Sequence, residues 1–215
     1  MQIKKTNDGS KTLFVPELNE HYHSIHGAYN EAVHVFIEAG LTFLNKYNYK
    51  VFEVGFGTGL NAWLSAEYAS SNKVSIDYHG IEKYPVELSI AEQMEYTDND
   101  VSKDLFDRIH VLPWEEKGTI SDHFTLTKYQ ADLDMFKVPK KLDLVYFDAF
   151  APEKQENMWT VDIFTKLYES LNVGGVLVTY CAKGMIRRRM QSIGFEVSRI
   201  PGPPGKREML RAIKP

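Results

Sequence analysis

Val51-Phe-Glu-Val-Gly-Phe-Gly-Thr-Gly-Leu-Asn61 is the stretch from which the fold is read. Val51 to Val54 is a β-branched and aromatic run that predicts a buried parallel strand. Gly55, Gly57 and Gly59 then turn the chain into an amphipathic helix starting near Leu60. Glycine suits such a turn because its backbone reaches φ/ψ values closed to other residues, and because no Cβ keeps a ligand away from the chain. The spacing is G-x-G-x-G. It is not the G-x-G-x-x-G of dinucleotide sites, and it lacks the Gly-Lys-Ser/Thr of a phosphate-cradling loop. Glu53, just ahead of the turn, repels a pyrophosphate but suits the ammonium or ribose of S-adenosylmethionine.

Working outward, Val74 to Ile81 reads as a second strand, followed by a helix from about Pro85 to Tyr96 with proline at its start. A third strand is expected at Arg108-Ile-His-Val-Leu112, and Phe124 to Asp132 alternates as a hairpin or strand. Leu142 to Asp148 is a strongly apolar buried strand ending in a carboxylate. Met158 to Leu171 is helical, Gly174 to Tyr180 a further buried strand, and Ala182 to Ile193 a helix. Phe195 to Arg199 and Glu208 to Ile213 close the chain as strands. Upstream, Thr12-Leu-Phe-Val-Pro16 suggests a short strand. Glu31 to Leu44 carries apolar residues at helical period, a pattern that Gly40 weakens.

Alternating strands and helices imply an α/β fold with a doubly wound, mostly parallel sheet and an antiparallel last strand. Residues 1–48 form an N-terminal extension and helix packed on a catalytic domain, 49–215. Ligands in such sheets sit outside the carboxyl ends of the strands. Four segments should therefore converge: Glu53–Asn61, Glu82, Asp148–Trp159 and Tyr180–Gly184.

The chain has 215 residues, enough for one sizeable core, with 43% hydrophobic and 25% charged residues. No apolar run approaches a membrane span, and the N-terminus lacks the apolar core of a signal peptide. The single cysteine, Cys181, excludes an internal disulfide and a thiolate zinc cluster, and is read as a small apolar packer. A cytoplasmic protein is expected. Net charge is −4, but Cys181 to Pro215 holds nine basic and two acidic residues, so this tail is +7 on a body of −11. That asymmetry fits either a phosphate-facing patch or scattered surface charge.

Glu82, ending the second strand, is placed to accept from both ribose hydroxyls of a cofactor. Asp132 is placed to accept from an adenine amino group, with Asp134 competing for the role. Gly55, Phe56, Gly57, Thr58, Gly59, Asn61 and Lys83 complete the expected cofactor contacts. His21, His23 and His26 lie near Glu17 and Glu20, but their spacing matches no helix-face metal pair. They are read as lid or substrate-contact residues, and no metal is expected. Trp63 and Trp114 are assigned to packing.

Glu53-Val-Gly-Phe-Gly-Thr-Gly-Leu-Asn61, Gly80-Ile-Glu-Lys-Tyr-Pro85, Phe147-Asp-Ala-Phe-Ala-Pro-Glu-Lys154, Asn157-Met-Trp159 and Gly205-Lys-Arg-Glu-Met-Leu210 occur in that order. From about Phe52 onward the chain resembles the methyltransferase half of the bifunctional tRNA wobble-uridine enzymes that make 5-methylaminomethyl-2-thiouridine. In those enzymes a flavin-dependent oxidase domain removes a carboxymethyl group, and here the chain ends about where that domain would begin. The first 30 residues match less securely.

The resemblance implies a Rossmann-like class I S-adenosylmethionine-dependent methyltransferase. It further implies a stand-alone enzyme that methylates the amine of 5-aminomethyl-(2-thio)uridine in tRNA, with a functional link to a separate enzyme supplying the aminomethyl group. Such chemistry needs a neutral amine, whereas an alkylamine is protonated at neutral pH (a lysine-like pKa of ~10.4). Asp148 is the candidate to orient the nitrogen and take its proton. Phe150 and Trp159 offer faces on which a base could stack, Trp159 being equally well a core residue. Pro152 shares their loop, and Lys154, Lys183, Lys206 and Arg207 are candidates for tRNA phosphates. Two other readings compete: a methyltransferase or aminopropyltransferase acting on a small soluble amine, and a catalytically silent cofactor- or RNA-binding protein.

Overall fold

Val51 to Val54 forms the buried end of β4 (Asn48–Val54), the middle strand of a large sheet. The computed structural model describes residues 1–97 and 99–215. Ahead of β4, β1 (Gln2–Lys5), β2 (Lys11–Val15) and β3 (Glu20–His21) make a separate three-stranded antiparallel meander. A short α-helix, α1 (Ala28–Ala32), then runs directly into a π-helical segment, Val33–Thr42. Gly40 lets this segment press on the sheet, since a Cβ there would stand 3.2 Å from the Leu144 side chain.

After β4 come α2 (Leu60–Asn72), β5 (Ser75–Glu82), α3 (Leu88–Ala91) and α4 (Asp100–Val111). They are followed by β6 (Lys117–Ser121), β7 (Phe124–Gln130), β8 (Leu142–Phe147) and α5 (Val161–Ser170). The chain ends with β9 (Leu171–Thr179), α6 (Gly184–Ile193), β10 (Glu196–Pro201) and β11 (Glu208–Ile213). The sheet order is β10-β11-β9-β8-β4-β5-β7-β6. Strands β9, β8, β4, β5 and β7 run parallel, with antiparallel pairing at both edges. The doubly wound sheet and its antiparallel last strand are as expected, and β6 adds a second antiparallel edge.

The N-terminal helix, α2 and α4 contribute Phe36, Ala62 and Phe106 to the core on one face. Helices α5 and α6 contribute Phe164 and Ile186 to the core on the other. Strand order reverses between β4 and β8, which puts Gly55 and Asp148 at the switch point where such sheets bind ligands. Among the described residues no helix is long and apolar enough to cross a membrane.

Three elements differ from the sequence reading. Arg108–Leu112 is the end of α4 and not a strand. Asn99 caps that helix by accepting from the Ser102 N–H, and Leu105, Phe106 and Ile109 are buried at helical spacing. The segment after Pro85 yields only α3 and a 3₁₀ turn, Glu92–Met94, ended by Glu95 at φ 45°. The expected helix from Met158 starts at Val161, where the Thr160 hydroxyl accepts from the Ile163 N–H.

Candidate active site

The glycine turn is built by contact as much as by conformation. Gly55 and Gly57 have φ of 86° and 51°. A Cβ on Gly55 would stand 2.5 Å from the Asp148 carbonyl oxygen, so the ends of β4 and β8 close on each other only through glycine. A Cβ on Gly57 would stand 2.9 Å from the ring of Tyr22, which lies over the turn from the N-terminal meander. The Gly57 N–H donates to Glu82 Oε2 at 3.1 Å and the Tyr84 N–H to Oε1 at 2.9 Å. Each Glu82 oxygen keeps further acceptor capacity, and burial raises its pKa.

Gly55, Phe56, Gly57, Asn61, Glu82, Lys83, Asp132 and Asp148 converge on one cavity, roofed by Tyr22 and His23. Lys83 and Asp132 form an ion pair of 2.7 Å there. Of the two candidates for the adenine contact, Asp132 lines the cavity, whereas Asp134 is exposed and outside it. Thr58 and Gly59 support the turn from behind. The Thr58 hydroxyl bonds to the Tyr96 hydroxyl at 2.8 Å, and Gly59 abuts His110 at the start of α2. Neither lines the cavity.

Asn61 joins two buried carboxylates. Its Nδ2 donates to Glu53 Oε1 at 2.9 Å and to Asp148 Oδ2 at 2.8 Å. Its Oδ1 and Glu53 Oε2 are buried with no hydrogen-bond partner among the described residues. Glu53 is fully buried behind the wall, so it reaches the cavity only through Asn61. Burial pushes Asp148 up to about 7, with the Glu31 charge adding to the rise and the Asn61 bond and Lys206 opposing it. Burial raises Glu53 as well.

A second hollow adjoins the first, sharing Tyr22, His23, Ala149 and Phe150 with it. The Phe150 ring meets Tyr22 edge-on at 5.1 Å. Glu20, Glu31, Tyr180 and Lys206 complete the hollow. The Tyr180 hydroxyl donates to the Ala149 carbonyl at 2.8 Å. His23 is half-buried and held neutral, its pKa lowered to about 4 by desolvation. His21 also lines the hollow, whereas His26 packs beside Gly205.

Several expected substrate residues are placed elsewhere. Trp159 is fully buried, meets Phe147 and Tyr180 edge-on, and donates from Nε1 to the Phe150 carbonyl at 2.8 Å. It holds the Phe150 loop from the core and offers no stacking face. Lys206 turns inward to Glu31 Oε2 at 2.9 Å. Pro152, Lys183 and Arg207 line a third hollow beside Cys181, with Lys183 ion-paired to Glu153. Lys154 is exposed and lines none of these hollows. Cys181 is buried, its thiol pKa raised by burial. Trp63 and Trp114 pack as expected, against Tyr96 and Phe56. Tyr22 and Glu31 had not been singled out by sequence, and Tyr180 only as the start of the converging segment Tyr180–Gly184. Only the position of the Glu20-His-Tyr-His-Ser24 cluster hinted at the first.

Several curated relatives of this chain share a name. It is 29% identical over 225 residues to the tRNA 5-methylaminomethyl-2-thiouridine biosynthesis bifunctional protein MnmC of Cupriavidus metallidurans, covering 95% of this chain and 32% of that protein. It is 30% identical over 210 residues to the protein of the same name from Maricaulis maris, covering 90% and 35%. The chain thus spans about a third of the length of the curated relatives it matches. Its backbone is similar to the crystal structure of MNMC2 from Aquifex aeolicus, with a TM-score of 0.78 and 24% identity over 99% of this chain and 70% of that one. It also resembles, at 0.58 and 12% identity, spermidine synthase from Thermotoga maritima, over 99% and 72%. A family model described as S-adenosyl-L-methionine-dependent methyltransferase matches residues 99–215. With a glycine turn at the switch point and that match over more than half its length, the chain belongs to the S-adenosyl-L-methionine-dependent methyltransferases.

Proposed function

We propose that the protein transfers a methyl group to the amine of 5-aminomethyl-(2-thio)uridine at the tRNA wobble position, giving 5-methylaminomethyl-(2-thio)uridine. The observation that carries this reading is the acidic hollow holding Glu31, joined through Phe150 to the cavity that holds Asp148. An aminomethyl group brings a cation, and these carboxylates complement it. The relatives' name supplies the nucleoside, and the basic C-terminal third suits the phosphates around it. A separate enzyme would supply the aminomethyl group.

The cavity fits the cofactor. The Gly55–Gly57 backbone leaves room for it, Glu82 would accept from the ribose hydroxyls, and Asp132 from the adenine amino group. The unpartnered Asn61 Oδ1 is an acceptor for its ammonium. When bound, S-adenosylmethionine supplies an electrophilic methyl carried on a sulfonium. Phe150 and Tyr22 would orient the uracil ring between the two hollows. Asp148 would accept a hydrogen bond from the substituent's ammonium and take one proton from it, freeing the nitrogen lone pair that then forms the new N–C bond and leaves the product as a secondary ammonium. A carboxyl with a pKa of about 7 is suited to this, since it is about half ionised at neutral pH and basic enough to hold a proton.

Asp148→Asn tests the assignment, because it keeps the shape and the Asn61 contact but cannot take a proton. Turnover on aminomethyl-uridine tRNA should fall by ~10²–10⁴-fold, with S-adenosylmethionine affinity kept. Turnover near that of the wild type would remove Asp148 from the proton path.

A further inference from the structure

Lys206 lies in the loop between β10 and β11, yet its ammonium is inside the acceptor hollow. Nζ donates to Glu31 Oε2 at 2.9 Å and stands 4.1 Å from the centre of the Tyr180 ring. Glu31 is only 8% exposed, and among the described residues Lys206 is its one side-chain partner. A carboxylate beside an aromatic face is a seat for an alkylammonium, combining ion pairing with cation–π attraction. This protein fills that seat with its own –CH₂–NH₃⁺ group, which is also the chemistry of a protonated aminomethyl substituent.

We propose that Glu31 and Tyr180 bind the acceptor's ammonium, and that Lys206 is an internal occupant which the acceptor displaces. This rests on reading the site as one for a uridine-borne amine. The exchange suits the local structure. Glu31 is never left as an unpaired buried charge, which would be costly. Lys206 is half-exposed, and its loop is held by the Lys206 N–H to the Pro203 carbonyl and the Gly202 N–H to the Arg207 carbonyl. The displaced ammonium is carried beside exposed Arg207, where a substrate phosphate would receive it. Selectivity follows directly. A cation can replace Lys206, whereas a hydroxymethyl group leaves Glu31 unpaired and a carboxylate is repelled by it.

The test is calorimetric binding of 5-aminomethyluridine and 5-hydroxymethyluridine to the protein loaded with S-adenosylhomocysteine. Wild type should prefer the amine by roughly tenfold or more, the scale of one charge-assisted hydrogen bond. Glu31→Gln should abolish that preference. Lys206→Met should tighten amine binding by about tenfold, because the competitor is gone, and leave hydroxymethyl binding unchanged. If Lys206→Met weakens amine binding or leaves it unchanged, Lys206 is a structural partner and the proposal fails. Should Lys206→Met not fold, the double variant Glu31→Gln with Lys206→Met, which buries no charge, must also show no preference. A retained preference there places the seat elsewhere. Methylation of tRNA by wild type alongside an unresponsive Lys206→Met defeats this inference alone. Binding by these rules without any methylation defeats the proposed function and leaves the seat standing.

Discussion

At the scale of single residues, the site turns on Asn61, whose amide spans Glu53 and Asp148. Burying two carboxylates on one amide raises both of their pKa values. For Asp148, the rise from 3.8 to about 7 has a consequence for stability. A carboxyl that binds its proton more tightly when folded costs nothing below its unfolded pKa. The cost grows as pH rises between the two values and is complete above about 7. Asp148→Asn removes the charge and can still accept from Asn61. The apoprotein should therefore gain on the order of 5 °C in Tm at pH 8 and little at pH 4. Scanning calorimetry at the two pH values checks this, and an unchanged Tm at pH 8 would contradict it. Glu53, Glu82 and Asp148 were legible in sequence because each ends or nearly ends an apolar strand. Glu31 was not, because its partner Lys206 lies 175 residues away and only packing joins them.

Among elements, the central strands were the most legible. With both faces buried they read as near-continuous apolar runs, as in the fully buried β8, Leu142–Phe147, which only Asp143 interrupts. The edges were harder. Arg108-Ile-His-Val-Leu112 resembles a short strand because five residues cannot separate a buried strand from the end of an amphipathic helix. The strand that does occur, β6, is a short edge with exposed Lys117, and its sequence carries little apolar signal. The glycine turn read correctly as a place where Cβ is forbidden, but the structure shows that the obstacle at Gly55 is the chain's own β8 end. Gly55→Ala should therefore part β4 from Asp148 and strain a backbone at φ 86°. We expect S-adenosylmethionine affinity to drop at least tenfold by calorimetry while far-UV circular dichroism stays native. Wild-type affinity in this variant would show that the close approach is not needed for the cofactor.

On the scale of the whole molecule, charge is sorted by depth as well as by sequence. Glu31, Glu53 and Asp148 are collected inside, around the two joined hollows. Arg207, Arg188 and Lys183 are exposed on the C-terminal third, which as a whole carries +7. Composition revealed that tail but not which of its cations face inward. Lys206 is one that packing turns inward, as it does Arg189 and Lys214. A negative interior beneath a positive rim suits a substrate whose reactive group is an amine and whose backbone is a polyanion. The direct measurement is to incubate the protein with labelled S-adenosylmethionine and tRNA bearing 5-aminomethyl-2-thiouridine, then separate the nucleosides. The account predicts that label appears only in 5-methylaminomethyl-2-thiouridine and that tRNA lacking the aminomethyl group takes none. Label in another nucleoside, or in free polyamines while the aminomethyl nucleoside stays unchanged, would contradict it.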